Sequence, residues 1–535
     1  MFRWRSLRFP TSPDSTDAHW ILHAGLPLGA AALLALVPAG AAAQARAAFR
    51  VTLTADTARI GSAPVSGRLI IFMSTTPPEE SGEPLRPDLD PEKVWIAAKE
   101  VTGLAPGSSV VIDADSLASP RPFSAAPGGK RYVMALLDRD HNANWSTLSP
   151  GDLTSTVDSV DALGTLDAPT PLALSGRIVG PRSLSAPSTE VVEFTSPMLS
   201  AFWKRPVVLR AAVVTPPDSE AVATPAGPRF RAVYHISGWG GSHRMAFSRG
   251  QRQIAMMRDG GERGAVHVFL ETQFVTGHPV FANSANNGPW ADALMSELIP
   301  HLEQRYRLIP AANARHLTGH SSGGWATLWL QVNYPAFFGG TWSTAPDPVD
   351  FADFTGVDMR PGSRENYYFR ADGTPRPFIK MDGVPRSTQQ AYVRTEVVLG
   401  PAGQISAFES VFSPRGVDGK PVQAIDRETG ALNPRALEAW AAYDIRAILQ
   451  RRWAELGPQL RGKLHIWVGG DDNFYLTAPT QRLCEFLKGA GSDATCEIVP
   501  GRDHFSLPGA YETYPKGLEY RFGQEMQRAF EASTR

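Results

Sequence analysis

The sequence predicts an α/β fold, a mostly parallel sheet covered by helices, preceded by an all-β, sandwich-like region. Three observations carry this. From about Phe49 to Ile178, short alternating or β-branched runs such as FRVTLT, SGRLIIFMS and RYVMALLD are separated by Pro/Gly/Ser/Asp stretches, with no sustained helical period. From about Glu190 the pattern changes: PVVLRAAVV, RAVYHIS, AVHVFLE and KLHIWVGG read as strands with helical stretches between them. Between the strand-like ARHLT and the helical GGWATLWLQVNY lies GHSSG, residues 319–323, a sharp glycine-flanked junction.

The chain therefore divides into a leader (1–45), a β-sandwich region (46–180), a linker (181–189, overlapping GPRSLSAPS at 180–188) and an α/β region (190–535). In the leader, Arg3, Arg5 and Arg8 precede an uncharged, alanine-rich run. This is the layout of a secretory signal cleaved after about Ala43 or Ala45, and no later segment reaches membrane-spanning length. The protein is expected to be exported, periplasmic or extracellular. Its two cysteines, Cys484 and Cys496, fall in a predicted helix and the strand after it, where an oxidising compartment permits a disulfide. Hydrophobic residues are 43% and charged residues 20% of the 535, ordinary values for a globular protein. A net charge of -1 gives no electrostatic footprint for nucleic acid or an anionic membrane.

Within the α/β region, PWADALMSELIPHLEQRYR places Trp290, Leu294, Leu298 and Leu302 on one helical face, with Pro300 kinking or restarting the helix. In NPRALEAW, Asn433 suits an N-cap and Pro434 the first helical turn. The residues between about Phe351 and Asn433 form a long insertion that reads as a pocket wall, a lid or an inert surface elaboration.

GHSSG fits the nucleophile elbow Gly-x-Ser-x-Gly and puts Ser321 at the tip of a strained strand-to-helix turn, as the α/β-hydrolase fold requires. A serine hydroxyl needs a base, and the base an orienting acid. In that fold the order along the chain is serine, acid, histidine. Of the 12 histidines only His465 and His504 follow Ser321. His465 lies inside the strand KLHIWV and reads as a packed sheet residue, whereas His504, in the loop PGRDHFSL, reads as the base. The acid should leave a strand end between them, where GGDDNFYL offers Asp472, with Asp471 as runner-up. Neighbours in an extended turn point to opposite sides, so only one of the pair can face the histidine. Asp347 and Asp350 in TAPDPVDF are more distant alternatives and read as shaping the pocket or its loops. The oxyanion needs N–H donors. Ser322, directly after the nucleophile, and Trp239 in the glycine-rich loop of VYHISGWGGSH are the candidates, with Gly238 or Gly240 as alternatives to Trp239. His278 and Asn283 in TGHPVFANSANNGPW either line the pocket or have a structural role.

With the elbow, ISGWGG, GGDDNFYL and GRDHF in this order, residues from about 190 to 530 resemble the Putative esterase family of α/β-hydrolases. That family includes esterase D, feruloyl esterases, enterochelin esterase-like proteins and mycolyltransferases. NSANNGPWADALMSELIPHLEQRYR and TAPDPVDF resemble a subgroup of exported members. The resemblance implies Ser321 as nucleophile, Asp472 as acid and His504 as base, in a serine esterase of small-molecule or glycan-linked esters. No metal or organic cofactor is implied. The alternatives are an acyltransferase using the same acyl-enzyme, and a non-catalytic envelope or glycan-binding protein. In the β region, DRDHNANW places Asp138, Asp140, Asn142 and Asn144 at alternate positions, a calcium-loop spacing. Ala143 and Ser149 stand where an EF-hand wants glycine and glutamate, so this stretch reads as a plain turn.

Overall fold

The computed structural model describes residues 45–78, 83–141, 149–178, 185–217 and 229–534. The expected leader, Ala45 excepted, lies outside the described residues, and so do residues 181–184 of the expected linker. Among the described residues no helix is long and apolar enough to cross a membrane.

The α/β region is built on one eight-stranded sheet. Its strands are β1 (Thr189–Thr195), β2 (Val208–Val214), β3 (Arg231–Ile236), β4 (Ala265–Leu270), β5 (Arg315–His320), β6 (Gly340–Thr344), β7 (Leu464–Gly469) and β8 (Thr495–Val499). They lie in the spatial order β1-β2-β4-β3-β5-β6-β7-β8. β2 pairs antiparallel with β1 and β4, and every pair from β4 through β3 to β8 is parallel. The helices used below are α1 (Ala246–Arg258), α2 (Ser322–Asn333), α3 (Gln389–Leu399), α4 (Gln404–Phe412), α5 (Thr477–Gly489) and α6 (Leu518–Ser533). Parallel strands covered on both faces are apolar without alternation, and β4 (AVHVFL) is buried at every position. α2 is buried along most of its length, so GGWATLWL reads as uniformly apolar rather than amphipathic. The helical segment from Trp290 to Arg305 widens into a π turn at Leu294–Leu298 just before Pro300, with Leu294, Leu298 and Leu302 buried. Cys484 on α5 and Cys496 on β8 form a disulfide, with Cα atoms 5.8 Å apart.

The preceding β region is a three-stranded sheet (Ser109–Asp113, Ala48–Leu53, Thr170–Leu174) facing a larger antiparallel one that includes Val65–Ser74, Val94–Leu104 and Arg131–Asp138. Between them sit Phe49, Trp95 and Phe123, with edge-to-face ring contacts at 6.0 and 6.2 Å. In Val65–Ser74 the run LIIFMS is buried at every position. Its second face is covered too: Ile70 and Phe72, with Ile96, Met134 and Leu136, pack against Val398 and Leu399 of α3. Polar contacts flank this seam. Arg68 donates from Nε and Nη2 to the carbonyls of Val398 (2.8 Å) and Val397 (2.7 Å), and the Ser119 and Thr395 hydroxyls pair at 2.7 Å. Ala45–Arg535 is accordingly one compact unit.

Candidate active site

Ser321 stands between β5 and α2 with φ 59° and ψ −125°, a backbone conformation that costs energy and lifts its side chain off the end of the sheet. The glycines two residues away on either side make the turn possible. A Cβ on Gly319 would lie 2.3 Å from the carbonyl oxygen of Gly323, and one on Gly323 would lie 1.9 Å from that of Ile236. The turn is held by Ser321 N–H donating to Thr344 O at 3.0 Å and by Asp347 N–H donating to Ser321 O at 3.2 Å.

Asp472 and His504 leave the ends of the neighbouring strands β7 and β8. Nδ1 of His504 lies 2.8 Å from Oδ2 of Asp472, and both residues are buried. Oδ1 of Asp472 accepts from the N–H groups of Phe474 (2.9 Å) and Leu476 (3.3 Å), so the carboxylate is fixed on both oxygens. Asp471, by contrast, is exposed. The backbone N–H of His504 donates to Oδ1 of Asn473 at 2.9 Å, and the rings of Phe474 and Phe505 pack edge-on against the imidazole. His320, next to the elbow serine, places its ring 4.5 Å from that of His504. Burial, and then the charge of His504, hold His320 well below the usual histidine range, so it stays neutral. His465 stacks on Trp342 within the sheet.

The loop after β3 packs directly on the elbow. A Cβ on Gly238 would lie 3.0 Å from the Cβ of Ser321 and 3.6 Å from its Oγ. Gly240 has φ 79°, the left-handed region that favours glycine. The indole of Trp239 donates to Ala402 O at 3.3 Å, fastening this loop to the insertion. Ser322 opens α2, where its N–H has no intrahelical acceptor.

Asp347, just past β6, approaches both serines. Its Oδ2 accepts from Ser322 Oγ at 2.5 Å and its Oδ1 from Ser321 Oγ at 3.3 Å. Burial pushes this carboxyl up to about 6, against the hydrogen bond from Ser322, the charge of His504 and the hydrogen bonds from Ser321 and Gln404. Asp350 instead braces the loop, accepting from Ala352 N–H at 3.1 Å and from Arg482 Nε at 2.6 Å.

Ser321, His504 and Asp347 open into one cavity of about 570 Å³, which Gly238, Trp239 and Gly240 also line. The insertion supplies an aromatic wall that includes Phe354, Tyr367, Phe378, Tyr392 and Phe408. Of the three readings of the insertion, the pocket wall is the one its position supports. The β region reaches the cavity as well, through Arg86, Pro87 and Leu89. The sequence reading missed these three because they sit in a proline-rich loop with no periodicity. His278 and Asn283 are not lining residues. The buried His278 ring donates from Nε2 to Ser237 O (2.9 Å) and accepts at Nδ1 from Val280 N–H (2.9 Å), and burial pushes it down to about 4. It thus props the loop that carries Trp239. Asn283 Oδ1 accepts from the N–H groups of Ala291 and Asp292 and caps the helical turn there.

Comparison with curated proteins finds no match. Among solved structures, the chain is similar to a ferulic acid esterase, at 13% identity and a TM-score of 0.40 over 64% of this chain and 100% of that one. It is also similar to the fluorophosphonate-binding serine hydrolase F of Staphylococcus aureus, at 13% identity and 0.37 over 63% and 98% of the two chains. The S-formylglutathione hydrolase from Agrobacterium tumefaciens aligns at 16% identity and 0.35 over 65% and 95%. The family model described as Putative esterase matches residues 214–490, just over half of the chain; the matched span takes in Ser321 and Asp472 and ends just short of His504. By that match the chain belongs to the Putative esterase family of α/β-hydrolases.

Proposed function

We propose that this esterase is an exported serine hydrolase of carboxylic esters that works through an acyl-enzyme on Ser321. The observation that carries the reading is the Asp472–His504 pair, 2.8 Å apart, whose imidazole opens into the same cavity as the elbow serine. The Ser321 hydroxyl attacks the ester carbonyl and His504 Nε2 takes its proton. Asp472 holds Nδ1–H and stabilises the imidazolium that forms. The N–H groups of Ser322 and Trp239 receive the oxyanion. The imidazolium then protonates the leaving alcohol, and a water activated by the same histidine releases the acid and restores the serine.

The large aromatic-walled cavity favours esters with a bulky apolar part. Export rests on the arginine-led, alanine-rich leader and agrees with a paired Cys484 and Cys496, a state that persists in oxidising compartments. A fluorophosphonate probe should label Ser321, and Ser321→Ala should abolish both labelling and turnover of activated aryl esters. Full activity in that variant, or an adduct on another residue, would overturn the assignment. Graded acyl-chain and aryl esters should then show a preference for bulky groups over acetate.

A further inference from the structure

The stretch DRDHNANW takes no part in the site above, yet the fold completes it with Asp152 from the next strand connection. Asp138 ends the strand Arg131–Asp138, which pairs antiparallel with Leu153–Thr154, with Leu137 opposite Leu153. That register sets Asp138 beside Asp152, and Asp140 follows two residues on. One carboxylate oxygen from each of Asp138, Asp140 and Asp152 lies within 4.8 Å of the others. Asn142 and Asn144 lie outside the described residues.

Two features separate this group from a chance acidic cluster on a surface. Asp138 and Asp152 are each only 1% exposed, and among the described residues neither forms an ion pair with a lysine or arginine. Asp152 is satisfied on both oxygens, by the N–H groups of Arg139 (3.1 Å) and Ser149 (2.8 Å). In Asp138, Oδ1 accepts from the N–H groups of Asp140 (3.3 Å) and His141 (3.0 Å), but Oδ2 is buried and, among the described residues, accepts no hydrogen bond. A buried carboxylate oxygen without a donor costs energy, and neighbouring carboxylates raise that cost. A cation removes both penalties together. An all-oxygen, carboxylate-rich donor set of irregular geometry suits calcium, with water or carbonyl oxygens filling its remaining positions.

We propose that Asp138, Asp140 and Asp152 bind a calcium ion that joins the end of the strand Arg131–Asp138 to the start of its neighbour Leu153–Thr154. The site would sit beside Arg68, opposite Asp138 in the next strand, whose guanidinium fastens this sheet to α3.

The test titrates the full chain with calcium at neutral pH, following heat release, thermal unfolding, and the sensitised luminescence of terbium as a calcium probe. One saturable site of sub-millimolar to millimolar affinity is expected, with a calcium-dependent rise in Tm. Asp152→Asn and Asp140→Asn should each weaken binding about tenfold or more. Because Asp140 is exposed, its variant should fold even if Asp152→Asn does not. Absence of saturable binding up to about 10 mM calcium, or unchanged affinity in a folded Asp140→Asn protein, would overturn the proposal.

Discussion

The hydroxyl of Ser321 donates to Oδ1 of Asp347 at 3.3 Å, and among the described residues no hydrogen bond joins it to His504. Serine and imidazole face the same cavity, and the proposed mechanism requires a rotation about the serine χ1 that exchanges Asp347 for His504. Asp347 is then a resting partner of the nucleophile rather than its base, and Asp347→Asn should change kcat by less than about tenfold.

The same substitution has a stability signature. The Asp347 carboxyl is pushed up to about 6 from the usual 3.8, chiefly by burial. Between those values the folded protein keeps a proton that the unfolded chain has released. The stabilising contribution is therefore fully present below 3.8 and is lost as pH rises through 6. Asparagine cannot ionise, so the variant should gain on the parent by up to about 3 kcal/mol across that window. It gives back about 1 kcal/mol because one carbonyl oxygen must serve two hydroxyls. Paired thermal melts from pH 3.5 to 7 read this directly. A Tm difference that stays flat over the range contradicts the buried, proton-holding carboxyl.

Asp472 and Asp471 are chemically identical neighbours in opposite environments, one buried against His504 and one exposed. Asp472→Asn should lower kcat roughly a thousandfold or more, with KM little changed, because asparagine presents the wrong hydrogen-bonding pattern to Nδ1. Asp471→Asn should leave both constants within about twofold. Equal losses in the two variants would remove Asp472 as the orienting acid.

This pair also marks how far the sequence can be read. The elbow is legible because its glycines answer a steric demand at fixed offsets, and chain order then leaves His504 and the DD pair as partners. Alternation of side chains in an extended turn limits that pair to one partner, and the contact of Asp472 with His504 says which. What lies outside such local rules is not legible. Leu89 and Arg86 reach the cavity only because LIIFMS, buried on both faces, binds the β region to α3. A continuous apolar run signals two-sided burial but does not name what covers the second face. The sequence around His278 fits both pocket and scaffold, and the position of Ser237 O assigns it to scaffold.

Gly323 meets the backbone at the end of β3 more tightly than other glycines near the elbow, its missing Cβ falling 1.9 Å from Ile236 O and 2.7 Å from Ser237 O. No side-chain rotation relieves a clash with backbone atoms. Gly323→Ala should cost about 3 kcal/mol or more and displace the loop carrying Trp239. Gly489 at the end of α5 has nothing within 4 Å of a built Cβ, so Gly489→Ala should be neutral or slightly stabilising. Urea unfolding of the two variants checks the contrast, and equal stabilities would mean the elbow is looser than its geometry indicates.

Leu89 packs against the hydrophobic core of the α/β region and lines the cavity, so the β region should affect substrate choice as well as stability. Truncation to alanine removes apolar wall far from the reacting carbonyl. A small acetyl ester fills little of the cavity and should be turned over by Leu89→Ala within about twofold of the parent rate. A bulky aryl or long-chain ester should lose contact with that wall, and its KM should rise about tenfold while kcat is nearly kept. The half-buried position limits the stability cost to about 1 kcal/mol, which separates the kinetic effect from unfolding. Steady-state kinetics on a graded ester series measures this. A KM that rises equally for acetyl and bulky esters would place Leu89 outside the substrate path and leave the β region a structural support for α3.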